Sequence, residues 1–215
     1  MLVVAVLAAV WAFAPASASV RPGLTDSVRT VHGRGASASA SINVLTLSDQ
    51  RHIDNRITAS MAADGRLVLS APEGLGDPDG SGVNCRLDNA KLGETSAPEV
   101  SCAPGYIGAV VGDLGGGSDT FDADGALTVM VGAVIDGQFR PLFGGPGRDH
   151  LIGGAQSDLL VGGSGADSVS GGSGNDLVVG GGGSDKLVGG PGRDVCRGSG
   201  GVDTAKACEV LRGIP

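Results

Sequence analysis

The sequence predicts an all-β chain with a C-terminal parallel β-roll (a β-helix of nonapeptide repeats) preceded by a β-rich N-terminal segment. Three observations predict it. Residues 144–206 repeat every nine residues through seven uninterrupted blocks: GGPGRDHLI, GGAQSDLLV, GGSGADSVS, GGSGNDLVV, GGGGSDKLV, GGPGRDVCR and GSGGVDTAK. The sixth place of every block is an aspartate, and the eighth is Leu151, Leu160, Val169, Val178 or Leu187, then Cys196 and Ala205. Finally, no segment carries the caps and 3.6-residue period of a helix, while 40 glycines and 3% aromatic residues argue against a large compact core.

Taken in chain order, Leu2 to Ala14 is a thirteen-residue apolar run, too short to span a bilayer, followed by the small-x-small pattern Ala16-Ser17-Ala18. Residues 1–18 read as a secretion signal cleaved near Ala18, although no Lys or Arg precedes the run. Residues 19–41, rich in Ala, Ser, Gly and Arg, read as a disordered leader. Residues 42–111 form the β-rich segment. Its strand candidates are 42–47, 55–61 and 65–70, the last two joined by the turn Asp64-Gly65, with a fourth at 105–111. Residues 112–143 hold a divergent nonapeptide, LGGGSDTFD, then a further strand candidate at 126–134. Asp119 of that block precedes Asp149 by thirty residues, not a multiple of nine, so an excursion interrupts the coil. The seven repeats at 144–206 follow, and residues 207–215 form a C-terminal cap.

The repeat has a chemical reason. Glycines at the first, second and fourth places permit positive φ, so the backbone turns tightly and gathers its carbonyl oxygens. The three residues after the aspartate form a short strand with one apolar side chain inward and its neighbours outward. Two blocks complete one coil, so aspartates eighteen residues apart stack. Ca²⁺ takes six to eight oxygens from carboxylates and carbonyls, and with no His or thiolate in the turns, zinc and copper fit poorly. The expected ligands are Asp149, Asp158, Asp167, Asp176, Asp185, Asp194 and Asp203, with Asp119 in an early turn. The turn glycines Gly145, Gly147, Gly154, Gly163, Gly165, Gly172, Gly174, Gly181, Gly183, Gly190 and Gly192 join them through their backbones. Pairing 149 with 167, 158 with 176, 167 with 185, 176 with 194 and 185 with 203 gives about five ions, at roughly 10⁻⁴–10⁻³ M. Without them, carboxylates about 4.8 Å apart repel by about 3–4 kcal/mol per pair at an effective dielectric near 20, so the coil is expected to fold on binding.

Departures from the pattern carry expectations too. Gln156 stands at a glycine position, where positive φ would cost about 1 kcal/mol, and Ser199, Cys196 and Ala205 weaken the last blocks. The 77–88 stretch superficially fits an EF-hand loop but has Asn84 in place of the aliphatic and no flanking helices. An ordinary acidic loop is the simpler reading there. Four cysteines allow three connectivities, of which the local one, Cys85 with Cys102 and Cys196 with Cys208, is the most economical. The second bond would hold the tail over the open end of the coil and offset its weak last blocks.

These blocks are similar to the calcium-binding nonapeptides of the secreted hemolysin-type (RTX) proteins, particularly the small actinobacterial kind. The match is specific over 144–206. It is looser upstream, where it rests on Asn55, Gly82 to Cys85, Val100 to Cys102 and GGGSD at 115–119. The resemblance implies a parallel β-roll, calcium held by the aspartates named above, and an extracellular location. An N-terminal signal departs from the toxin-type members, which speaks against a toxin role.

No H-E-x-x-H, G-x-S-x-G or G-x-x-x-x-G-K-[ST] motif occurs, and the three histidines are scattered. The expectation is therefore no enzyme, no catalytic residue and no cofactor besides calcium. A net charge of −8 speaks against nucleic acid and anionic membrane as partners of the mature chain. The alternative is a calcium-rigidified adhesion or matrix module binding a glycan, cell wall or protein.

Overall fold

The computed structural model describes residues 29–34, 41–49, 53–72, 85–88, 99–135 and 138–214. The expected signal at 1–18 and the acidic residues Asp77 and Asp79 lie outside the described residues. Among the described residues there is no helix.

The N-terminal strands are Arg29–Arg34 (β1), Ser41–Ser48 (β2), Arg56–Met61 (β3), Leu67–Ser70 (β4), Cys85–Asp88 (β5), Glu99–Cys102 (β6) and Ile107–Asp113 (β7). Thr120–Ala123 (β8), Met130–Val131 (β9), Ala133–Ile135 (β10) and Gln138–Arg140 (β11) lead into the repeats. The repeats give Leu142–Pro146 (β12), His150–Ile152 (β13), Leu159–Ser164 (β14), Ser168–Ser170 (β15), Leu177–Gly182 (β16), Lys186–Val188 (β17), Val195–Arg197 (β18) and Thr204–Lys206 (β19). Val210–Arg212 (β20) is the last strand among the described residues.

Two nine-stranded sheets face each other. One runs β1-β2-β7-β12-β14-β16-β18-β20, with β9 beside β7, and the other β19-β17-β15-β13-β8-β3-β4-β6-β5. Successive repeat strands alternate between the sheets, because each six-residue turn carries the chain across to the facing sheet. Register runs in steps of eighteen, Leu142↔Leu160↔Val178↔Cys196 in the first sheet and Leu151↔Val169↔Leu187↔Ala205 in the second. These eighth-place side chains point inward and, Ala205 apart, are fully buried.

The 42–111 segment joins the same two sheets. β2 pairs in parallel with β7, and β3 with β8, so Leu45, Leu47, Ile57 and Phe121 extend one continuous core with Leu142 and Leu151. The Asp64-Gly65 turn closes the β3–β4 hairpin with Gly65 at φ +83°. Cys85 bonds to Cys102 across β5–β6, and Cys196 to Cys208, the local connectivity. The strand expected at 126–134 is two short pieces, β9 and β10.

Of the 19–41 leader, only residues 29–34 and Ser41 are described. Where 19–41 reads as disordered, β1 forms an antiparallel pair with β2, Thr30↔Leu45 to Gly33↔Ile42. The β-rich partner supplies an unpaired edge, and backbone pairing along it outweighs the leader's low-complexity composition.

The tail adds a further rung at the end of the coil. β20 pairs in parallel with β18, Val195↔Val210, a step of fifteen residues instead of eighteen. Ala207, at φ +51°, makes the tight turn that shortens this last coil.

Candidate functional site

Aspartates line up in two columns, one along each edge where turns join the sheets. The first column is Asp119, Asp149, Asp167, Asp185 and Asp203; the second is Asp158, Asp176 and Asp194. Within each, a backbone N–H donates to Oδ1 of the next: Asp119 to Asp149, Asp149 to Asp167, Asp158 to Asp176, Asp167 to Asp185 and Asp176 to Asp194, each at 2.9 Å. Asp185 to Asp203 follows at 3.0 Å. The excursion expected between Asp119 and Asp149 is present, yet the column crosses it without a break. The intervening residues supply one coil plus the β10–β11 hairpin.

Both columns gain a member that the nonapeptide pattern does not reveal. Asn55 stands above Asp119 and donates its N–H to Asp119 Oδ1 at 2.7 Å. The residues around Asn55 do not look like a repeat, yet Gly115 stacks on Asp49 and Gly117 on Ile53, as Gly145 and Gly147 stack on Gly115 and Gly117. At the far end, Glu209 accepts the Asp194 N–H through Oε2, where the next aspartate of a full coil would stand. Being one methylene longer, glutamate reaches across the shortened coil.

All the aspartates are buried, at 4% exposure or less. Six of them leave Oδ2 buried without a hydrogen-bond partner: Asp119, Asp149, Asp167, Asp176, Asp185 and Asp194, joined by Oδ1 of Asn55. Such oxygens are expensive to desolvate unless something binds them. Burial pushes the Asp149 and Asp158 carboxyls up to about 7 and those of Asp119 and Asp176 up to about 6. It raises Asp167 and Asp185 as well, with the next aspartate of the column adding to the rise and the donated N–H opposing it.

The glycines frame these oxygens for two different reasons. The second- and fourth-place glycines Gly145, Gly147, Gly163, Gly165, Gly172, Gly174, Gly181, Gly183, Gly190 and Gly192 all have positive φ, and a Cβ on any would strike backbone of the turn above. The first-place glycines do not, contrary to the expectation that they too serve positive φ. They are needed for room. A Cβ on Gly162 would lie 2.5 Å from Asp167 Oδ2 and 2.8 Å from the Gly180 carbonyl of the turn below. That void is bounded by the orphaned oxygen of one turn and a carbonyl of the next.

Two turns are closed. Gly154 lacks positive φ, and its N–H donates to Asp158 Oδ2 at 2.7 Å. Ser199 does the same to Asp203 Oδ2 at 3.1 Å. The Gln156 turn therefore escapes the strain expected of it: Ala207 is the one positive-φ residue other than glycine among the described residues. The reason is its neighbour. It stacks on the excursion, with Ala155 N–H donating to the Leu127 carbonyl, and no glycine turn above dictates its shape.

Each void thus offers oxygens only, one or two carboxylates with backbone carbonyls, a hard donor set suited to a cation such as Ca²⁺. Among the described residues no three Asp, Glu, His or Cys side chains converge on one point. Residues 143–178 and again 170–205 match the family model of the RTX calcium-binding nonapeptide repeat (4 copies). No curated protein and no solved structure matches the chain.

Proposed function

We propose, from the premise that this chain carries RTX-type calcium-binding nonapeptide repeats, that it is a secreted protein whose aspartate columns take Ca²⁺ between stacked turns and whose coil is completed by the ion. The observation that carries this reading is the set of six buried carboxylate oxygens without a partner, five of them in turns left open by a first-place glycine and that of Asp119 in a turn with Leu114 at that place. Calcium supplies the compensating charge and coordination when bound. The residues assigned to hold it are Asp119, Asp149, Asp167, Asp185 and Asp203 on one edge, and Asp176, Asp194 and Glu209 on the other.

The orphaned oxygen of each turn faces the turn that follows, so each gap is counted by its first member. This gives six gaps flanked by two carboxylates: 119 with 149, 149 with 167, 167 with 185, 185 with 203, 176 with 194, and 194 with 209. Compared with the pairing read from spacing, 158 with 176 drops out because Gly154 already satisfies Asp158 Oδ2. The gaps 119 with 149 and 194 with 209 enter. Asp158 and the Gly154 backbone become structural. The protein has no reaction of its own in this reading.

Secretion is supported by the apolar N-terminal run with its small-x-small site and by two disulfides. The test is calorimetry and far-UV circular dichroism of the full chain after EGTA treatment. Millimolar Ca²⁺ is expected to restore β signal with uptake of about six ions, and Mg²⁺, which demands tighter octahedral geometry, to fail. A full β signal in EGTA, or no heat on adding calcium, overturns it. Recovery of the chain with the cells instead of the culture medium overturns the location.

A further inference from the structure

The two sheets differ on their outer faces. On the second sheet one outward row is polar throughout, His150, Ser168, Lys186 and Thr204, and the other mixes Ile152, Ser170, Val188 and Lys206. On the first sheet, the seventh-place row reads Leu159, Leu177, Val195, Val210 down successive rungs. The ninth-place row beside it reads Asp113, Phe143, Val161, Val179, Arg197, Arg212. From Leu177 and Val161 downward the aliphatic side chains are only half-buried, and Phe143 is 41% exposed.

The chain itself already covers the upper part of this face. Val44, Ala109 and Val111 point out of the first sheet and are buried under Ala133 and Met130 of the excursion. The apolar face continues below that cover and ends without one. Phe139, on the β10–β11 hairpin at the border, is 68% exposed.

We infer that this face binds a second copy of the same chain, sheet against sheet. The ninth-place row is self-complementary: acidic at one end, aliphatic in the middle, basic at the other. A two-fold axis lying between the sheets and parallel to the strands keeps row over row and reverses the order of rungs. Centred between Val161 and Val179, it sets Asp113 opposite Arg212 of the partner subunit and Phe143 opposite Arg197 of the partner subunit. The first is an ion pair and the second a guanidinium over an aromatic ring. Val161 meets the partner's Val179, while Leu159 stays buried within its own chain beside the excursion. A polar or lipid partner would not ask for opposite charges at matching distances from one centre. Six rungs about 4.8 Å apart and three residues about 3.3 Å each make a patch of about 25 by 10 Å. Such a patch buries roughly 500 Å² over both partners, below the range of stable specific interfaces, so the dimer is weak, transient and dependent on concentration.

The test is sedimentation velocity of the full chain in saturating calcium, from about 10 µM to about 1 mM, with circular dichroism showing the coil formed in every sample. The parent is expected to shift from monomer to dimer across this range. Val179→Lys should stay monomeric, while Val188→Lys on the other sheet dimerises like the parent. Arg212→Asp should weaken association at least tenfold, and adding Asp113→Arg to it should restore most of that loss. A parent that is monomeric throughout, or equal behaviour of the Val179 and Val188 variants, overturns the inference. So does a monomer that instead sediments with phosphatidylcholine vesicles, which would give the face to a lipid surface. Calorimetric calcium uptake is read on the same samples, so a chain that binds calcium yet never associates is told apart from one that fails to bind.

Discussion

Asp158 and Asp176 occupy adjacent places in one column and look alike in sequence, but their oxygens are spent differently, and replacing each by asparagine separates the two roles. Asp158 accepts the Val131 N–H and the Gly154 N–H, each at 2.7 Å. In Asp158→Asn the side chain keeps one acceptor and turns an NH₂ group against a backbone N–H, a loss of about 1–3 kcal/mol in the fold with the ion count unchanged. Asp176 accepts the Asp158 N–H through Oδ1 and leaves Oδ2 without a partner. The Asp176→Asn change preserves the first bond and places an NH₂ donor where a cation is to sit, so one ion is lost. With calcium at about 100 times the dissociation constant, a lost site removes about 2.7 kcal/mol from the liganded coil. Equilibrium dialysis with metal analysis counts the ions, and urea unfolding in calcium reads the stability. Asp176→Asn is expected to bind one ion fewer than the parent and Asp158→Asn the same number. An Asp158 variant that loses an ion while the Asp176 variant keeps all of them would refute the use of orphaned oxygens to count sites.

Gly162→Ala and Gly163→Ala test the two glycine roles. The first puts a methyl into the cradle at a φ outside the left-handed region, 2.5 Å from Asp167 Oδ2 and 2.8 Å from the Gly180 carbonyl, and should lower calcium uptake by one at a smaller cost to the coil than the second. The second, at φ +128° and against the Gly145 carbonyl, should destabilise the coil even in calcium, as unfolding midpoints would reveal. The raised carboxyls set a pH dependence for the calcium-free chain. Their folded pKa values, about 6 to 7 for Asp119, Asp149, Asp158 and Asp176, lie above the unfolded value of 3.8, so protonated carboxyls favour the coil. That contribution is complete below the unfolded value and is lost as pH rises through 6 to 7. The β signal in EGTA should therefore grow on acidification from about pH 8 to about pH 5, and an unchanged spectrum would contradict the assignment. Replacing Cys196 and Cys208 by serine should cost up to about 3 kcal/mol, with hydrogen exchange accelerating in 195–212 first. Finally, Asp176→Ala should raise the calcium midpoint and lower cooperativity more than Asp203→Ala, whose Oδ2 is held by the Ser199 N–H and whose gap is the last of its edge.

The repeat region was legible because phase survives mutation of single places: Asp and an inward aliphatic recur whether the turn is GGPGR or GGGGS. Glu209 was not legible, since it lies fifteen residues after Asp194 and is a different acid, two changes that compensate only in three dimensions. Asn55 was hidden for a related reason. The chain takes four steps from Asp49 to Ile53 where a repeat takes two from its second place to its fourth, so no alignment of glycines exposes the stacking. The ends of the two columns are thus made by residues that resemble nothing in the middle. The uneven outer faces are hidden in the sequence because a nine-residue period averages over both sheets. With a period of eighteen, the triplets LLV, LVV and VCR separate from HLI, SVS and KLV. The Gln156 expectation failed because a glycine position is defined by the turn stacked upon it, and that turn belongs to the excursion.

A parallel ladder has no natural length. Every rung offers the next the same row of N–H and C=O groups, so a coil that ended on a regular repeat would be a template for another molecule, and so on into a fibre. This chain ends its ladder at both extremes by breaking the rule that builds it. At the start, β1 against β2 and the β3–β4–β6–β5 meander switch to antiparallel pairing, which a parallel coil cannot copy, and the Cys85–Cys102 bond fastens that switch. At the finish, the coil three residues short throws the outgoing strand out of step, Cys208 tethers it, and Lys206 and Arg212 charge the last two strands. The broad outer face behaves in the opposite way: growth along the axis is refused, and any association is directed sideways, where a two-fold closes on itself after one partner.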